Sequence, residues 1–65
     1  MKIKKWPNGL GEDRITSKGE WQVCYPDVGR PLFHVAYYPR GERMSTGKGR
    51  GATVEEAIRN AKVKP

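Results

Sequence analysis

Two ligand-bearing residue types are scarce. The 65 residues include one cysteine and one histidine. An intramolecular disulfide needs two thiols, and a structural metal centre needs several converging Cys, His or carboxylate ligands. No disulfide, metal or cofactor is therefore predicted, and a lone thiol fits a reducing cytoplasm. Long apolar runs are also missing: nothing approaches the ~20 residues needed to cross a bilayer. Met1-Lys2-Ile3-Lys4-Lys5 is a basic start with no hydrophobic segment behind it, so no signal peptide and no membrane partner are expected. Acids are few as well, with seven Asp/Glu against thirteen Lys/Arg and a net charge of +6.

A chain of this length is one small domain, residues 1–65, with a thin core. By surface scaling it hides only about 60% of its unfolded surface. That leaves little surplus for a strained, buried active site, so the expectation is a binding module rather than an enzyme. The residues agree. Cys24 and His34 fall on neighbouring predicted strands, but no third group is placed to orient the imidazole. Carboxylates pair only at Glu12-Asp13 and at Glu55-Glu56, and the second pair belongs to a helix start. Gly41 to Lys48 superficially resembles a phosphate-binding Walker loop. Five residues separate Gly41 from Gly47, however, and Gly49 stands where a Ser or Thr must bind magnesium.

Glycine and proline divide the rest into short pieces. Residues 1–12 read as a basic arm ending in a turn at Pro7-Asn8-Gly9, and Ile15 marks a weak strand. Trp21-Gln22-Val23-Cys24-Tyr25 alternates large and small and is the clearest strand. A Pro/Asp/Gly loop, 26–31, leads to a second strand, Leu32 to Tyr38, and a turn at Pro39-Arg40-Gly41 leads to a shorter third, Glu42 to Thr46. Gly47-Lys48-Gly49-Arg50-Gly51 reads as a flexible loop within 47–52, able to offer amides and two cations to a phosphate. Thr53-Val54-Glu55-Glu56 is a capping box, and Val54, Ala57, Ile58 and Ala61 form one apolar stripe, so a helix is predicted over 53–63.

The predicted fold class is α+β: a three- to four-stranded antiparallel sheet over 13–46 with one C-terminal helix packed on one face. Trp21, Val23, Tyr25, Phe33, Val35 and Tyr37 should meet the helix. The other face should lie open, showing Gln22, Cys24, His34, Ala36, Tyr38, Arg43 and Ser45, flanked by Arg30, Arg40, Lys48 and Arg50. The clearest positive excess sits at Arg40, Arg43, Lys48 and Arg50, and a basic face with interleaved aromatics points to nucleic acid.

From about Arg14 to Lys62 the chain resembles two DNA-binding families. These are the arm-site-binding N-terminal domain of lambda-type phage integrases and the plant ethylene-response-factor domain. The residues that carry the likeness are the Ser17-Lys18-Gly19 turn, the strand Glu20 to Tyr25, the Pro/Asp/Gly loop, and Gly-Lys-Gly-Arg ahead of Thr53-Val54-Glu55-Glu56-Ala57-Ile58. The C-terminal part is also similar to HicB-type antitoxins. The extra Tyr37-Tyr38-Pro39 segment departs from the integrase pattern, and the strands lack the arginine density of the plant domain. The resemblance implies duplex DNA read in the major groove by the open sheet face. Gln22, His34, Tyr38, Arg43 and Ser45 would then face bases, and Arg40, Lys48 and Arg50 would hold phosphates. A different class fits the same composition. A free-standing phage-type inhibitor or adaptor would bind a host protein through Tyr38 and the Asp27-Val28-Gly29-Arg30 loop, as a monomer or as a weak homodimer paired along an edge strand.

Overall fold

The computed structural model describes residues 1–62. Five strands and one helix follow one another: β1 (Lys2–Lys5), β2 (Gly11–Ile15), β3 (Gly19–Cys24), β4 (Phe33–Pro39), β5 (Gly47–Gly51) and α1 (Val54–Asn60). The strands form one antiparallel sheet in the order β1-β2-β3-β4-β5, so each strand pairs with its neighbour in sequence. The α+β class and the C-terminal helix are as expected, with five strands in place of three or four.

Each connection carries its own hydrogen-bonding device. Between β1 and β2, the Asn8 side-chain oxygen accepts from the Leu10 amide at 2.9 Å, and Gly9 takes φ 74. Between β2 and β3, the Thr16 hydroxyl accepts from the Lys18 and Gly19 amides and donates to the Gly19 carbonyl. Between β3 and β4, one Asp27 carboxylate oxygen accepts from the amides of Gly29 and Arg30, at 2.9 and 2.8 Å. These are the local side-chain turns that Asn, Asp and Thr form when no ladder competes for the backbone.

Three expectations need correction. Residues 1–12 are not a free arm, because Lys2–Lys5 pairs with 12–15, from Lys2 opposite Ile15 to Lys5 opposite Glu12. Glu42–Thr46 is not a strand. Pairing on β4 stops at Pro39, which lacks an amide hydrogen, and 42–46 form part of the long turn back to the sheet. The glycine segment, read as a loop over 47–52, is β5, with Tyr37 opposite Gly47 and Phe33 opposite Gly51. Its glycines point at the helix. A Cβ on Gly49 would overlap the Ala57 carbonyl and the Ala61 amide, and one on Gly51 would come within 2.8 Å of the Ala57 nitrogen. The bare backbone of β5 therefore lets the helix backbone lie directly on the sheet.

The helix is capped as predicted, with the Thr53 hydroxyl accepting from the Glu56 amide at 3.1 Å. It is shorter than expected. Helical backbone ends at Asn60, and Lys62 takes φ 50, the left-handed conformation that stops a helix. Residue 63, the end of the predicted span, lies outside the described residues. The helix covers β5 and, less closely, β4. Beneath it Val23, Val35, Val54, Ala57 and Ala61 form the buried core, with Trp21, Tyr25, Phe33 and Ile58 packed around them. Trp21 and Tyr37 pack ring to ring with centroids 4.8 Å apart, and Tyr25 meets Phe33 edge-on at 6.3 Å. All the sheet residues expected under the helix lie on that side of the sheet.

One charged residue is buried with this layer. Glu12 lies on the helix side of β2, beyond the reach of α1, and is 7% exposed. One of its carboxylate oxygens accepts from Arg14 Nε at 2.7 Å, and the other accepts from the Tyr25 hydroxyl at 2.7 Å. The total accessible surface is 5043 Å². A compact chain of this mass would expose about 4,200 Å². Extra surface is what a single sheet covered on part of one side gives.

Candidate functional site

Among the described residues, no second layer covers the side of the sheet away from the helix. Strand alternation and register decide which side chains occupy it. One row crosses all five strands: Lys4, Asp13, Gln22, Ala36 and Lys48. The row toward one end holds Gly11, Cys24, His34 and Arg50, and the row toward the other holds Lys2, Ile15, Glu20 and Tyr38. Four cations against two carboxylates leave this face net positive.

Gln22, His34 and Tyr38 therefore stand on the open face. Lys48 and Arg50 stand there too, as exposed strand residues alternating with the helix-facing glycines, and not as members of a phosphate-binding loop. Arg43 and Ser45 do not share the face. Arg43 is exposed in the 42–46 turn, and the Ser45 hydroxyl donates to the Gly47 carbonyl at 2.9 Å, which shapes the entry to β5. Arg40 sits at the β4 end of that turn, where its amide donates to the Lys18 carbonyl at 3.0 Å. Cys24 and His34 are cross-strand neighbours, and no hydrogen bond joins their side chains among the described residues.

Sequence reasoning missed Trp6 and Asp13 and read Lys2 and Lys4 as phosphate-contacting members of a mobile arm; the β1–β2 hairpin brings all four onto the face. Trp6 continues β1, its amide donating to the Gly11 carbonyl at 2.9 Å. Its indole Nε1 donates to the Asp13 carboxylate at 2.8 Å, and its ring lies so close to Gly11 that a Cβ there would come within 2.7 Å of Cε3 and Cζ3. The ring is thus held by a charge-assisted hydrogen bond and by the missing side chain beneath it. A signal was present: Pro7-Asn8-Gly9 between two short segments is the composition of a hairpin turn.

Two shallow hollows mark opposite ends of the face. One, of about 350 Å³, is lined by Trp6, Leu10, Cys24, Pro26 and Arg30 among others. The other, of about 450 Å³, is lined by Ile15, Glu20, Tyr38, Pro39 and Arg40 among others. Each pairs an aromatic ring with an arginine at its edge.

Among the described residues no group of three or more His, Cys, Asp or Glu side chains is placed to hold a metal ion, and no helix is long and apolar enough to cross a membrane. Comparison with protein-family models, curated proteins and solved structures gave no match.

Proposed function

We propose that this is a small nucleic-acid-binding protein that holds its ligand on the open face of the sheet. The observation that supports this is the composition of the face. Lys2, Lys4, Lys48 and Arg50 outnumber Asp13 and Glu20 on it, Trp6, Gln22, His34 and Tyr38 stand among them, and no element among the described residues covers it. Cations supply sequence-independent attraction to phosphates, while planar rings and an amide meet bases. The flanking Arg30, Arg40 and Arg43 extend the positive surface beyond the sheet edges.

The test is retention of labelled mixed-sequence oligonucleotides across a salt series. Binding is expected at about 50 mM salt, weakening linearly on a log–log scale as counterion release is suppressed. No retention at low salt sinks the reading.

A second reading, a free-standing inhibitor or adaptor for a host protein, is favoured by one feature. Val28 is fully exposed, at 106% relative accessibility, on the tip of the loop that Asp27 braces by accepting hydrogen bonds from the Gly29 and Arg30 amides. A braced loop presenting an apolar tip is suited to insertion into a partner's pocket. Failure of every oligonucleotide in the salt series would shift weight to this reading.

A further inference from the structure

We infer that the ligand is a single strand, with two unstacked bases seated in the two hollows of the open face. This rests on the nucleic-acid reading above and specifies the ligand. Width is the first argument. Five strands at about 4.8 Å spacing span about 19 Å between the outer strand axes, and the major groove of B-DNA is about 12 Å wide. A face that includes β1 and β5 cannot enter that groove as a unit, so the reading mode implied for duplex DNA does not suit this sheet. A single strand has no groove to match and lies across a broad sheet.

Spacing is the second argument. The Gly11/Cys24 row, beside the Trp6 hollow, and the Ile15/Glu20/Tyr38 row, in the other hollow, are four residues apart along the strands. At ~3.3 Å per residue the separation is about 13 Å, nearly four times the 3.4 Å repeat of stacked bases. Two neighbouring nucleotides that fill both hollows must therefore be splayed apart, each base stacking on a protein ring in place of the other base. The middle row between the hollows runs Lys4, Asp13, Gln22, Ala36 and Lys48, so a phosphate linking the two bases passes between the outer lysines, with the Asp13 carboxylate already engaged by the Trp6 indole. At about 350 and 450 Å³ the hollows hold a flat ring, and Arg30 and Arg40 stand at their edges to meet its phosphate. Trp6 is already fixed by Asp13 and Gly11, so little side-chain freedom is lost on stacking.

Fluorescence polarisation with a mixed-sequence 12-nucleotide DNA, the RNA of the same sequence, and the blunt DNA duplex tests this at one salt concentration. Either single strand should bind about tenfold or more tightly than the duplex, and the DNA and RNA arms show which sugar is preferred. Trp6→Leu and Tyr38→Leu should each weaken single-strand binding by about 5- to 150-fold, the loss of one stacked base. Duplex binding equal to or tighter than single-strand binding overturns the inference and leaves the nucleic-acid reading standing. No binding to any of the three overturns both. Unchanged affinity in both leucine variants, with cooperative melting retained, also overturns the inference. Should a leucine variant fail to fold, the Trp21→Phe chain reports from Trp6 alone: a saturating single strand must quench its fluorescence, and an unquenched signal is equally fatal.

Discussion

Glu12 shows how a single residue is tied to the acid and base limits of the fold. It is buried, yet both carboxylate oxygens have strong partners, which makes an otherwise costly charge tolerable. The Arg14 hydrogen bond, reinforced by the Tyr25 hydroxyl, holds its carboxyl below the usual carboxylate range against the opposing effect of burial. A depressed folded pKa means that the unfolded chain binds the proton first on acidification. The stabilisation is complete above the ordinary Glu value, near pH 4.5, and is lost as the pH falls through the lower folded value. Tyr25 is shifted the other way, its hydroxyl pushed up by donating to Glu12 and by burial. Its contribution is complete below the ordinary tyrosine value, near pH 10, and is lost as the pH rises through the folded one. Thermal melting across pH should show both losses, and Glu12→Gln should flatten the acid one while lowering the melting temperature at neutral pH. An acid limb unchanged in that variant would assign the pH dependence elsewhere. The partners of Glu12 lie 2 and 13 residues away. Only register brings Tyr25 to it, so Glu12-Asp13 looked idle in the sequence.

Among the elements, α1 and β5 depend on each other. The helix has seven residues, too few to persist alone, and β5 has three glycines that disfavour a strand in isolation. Close contact at Gly49 and Gly51 makes each possible. Gly49→Ala should cost about 3 kcal/mol or more, because the added methyl meets backbone and not a side chain that can swing away. A domain of this size has only about 3–10 kcal/mol in hand, so circular dichroism should show loss of cooperative folding. Gly29→Ala is the control: its Cβ would meet nothing nearer than the Asp27 carboxylate at 3.6 Å, and its melting should match the parent. Normal stability in Gly49→Ala would refute the close packing. The same pair explains what the sequence revealed and what it hid. The helix was legible because its cap and apolar stripe are local. Strands β3 and β4 were legible because their alternation is local too. β5 was hidden because its glycines are chosen by the helix above them, and propensity alone assigned the strand to Glu42–Thr46.

Across the whole molecule, the consequence of five strands is a broad, positive, uncovered face. Lys48 and Arg50 were legible as cations, but their place on that face was not, because it follows from β5. Gln22, His34 and Tyr38 could be placed from alternation in the central strands. Trp6, Lys2 and Lys4 could not, because a basic N-terminal segment reads as an arm until its partner strand is known. If Lys48 and Arg50 contact phosphates, the double variant Lys48→Ala/Arg50→Ala should reduce the slope of log K against log salt. The reduction expected is about 0.7 per lost contact on a single strand and about 0.9 on a duplex. A parallel line of unchanged slope would remove both residues from the interface.

The order of the strands in space repeats their order along the chain. Each strand emerging during synthesis finds its partner just ahead of it, and every pairing closes a short loop, which favours rapid folding. The exception is the core itself. Val23 and Val35 are sealed by Val54, Ala57 and Ala61, which follow all five strands along the chain. The nascent sheet can therefore assemble early, but it acquires its dry side, and with it most of its cooperativity, only when the C-terminal segment arrives.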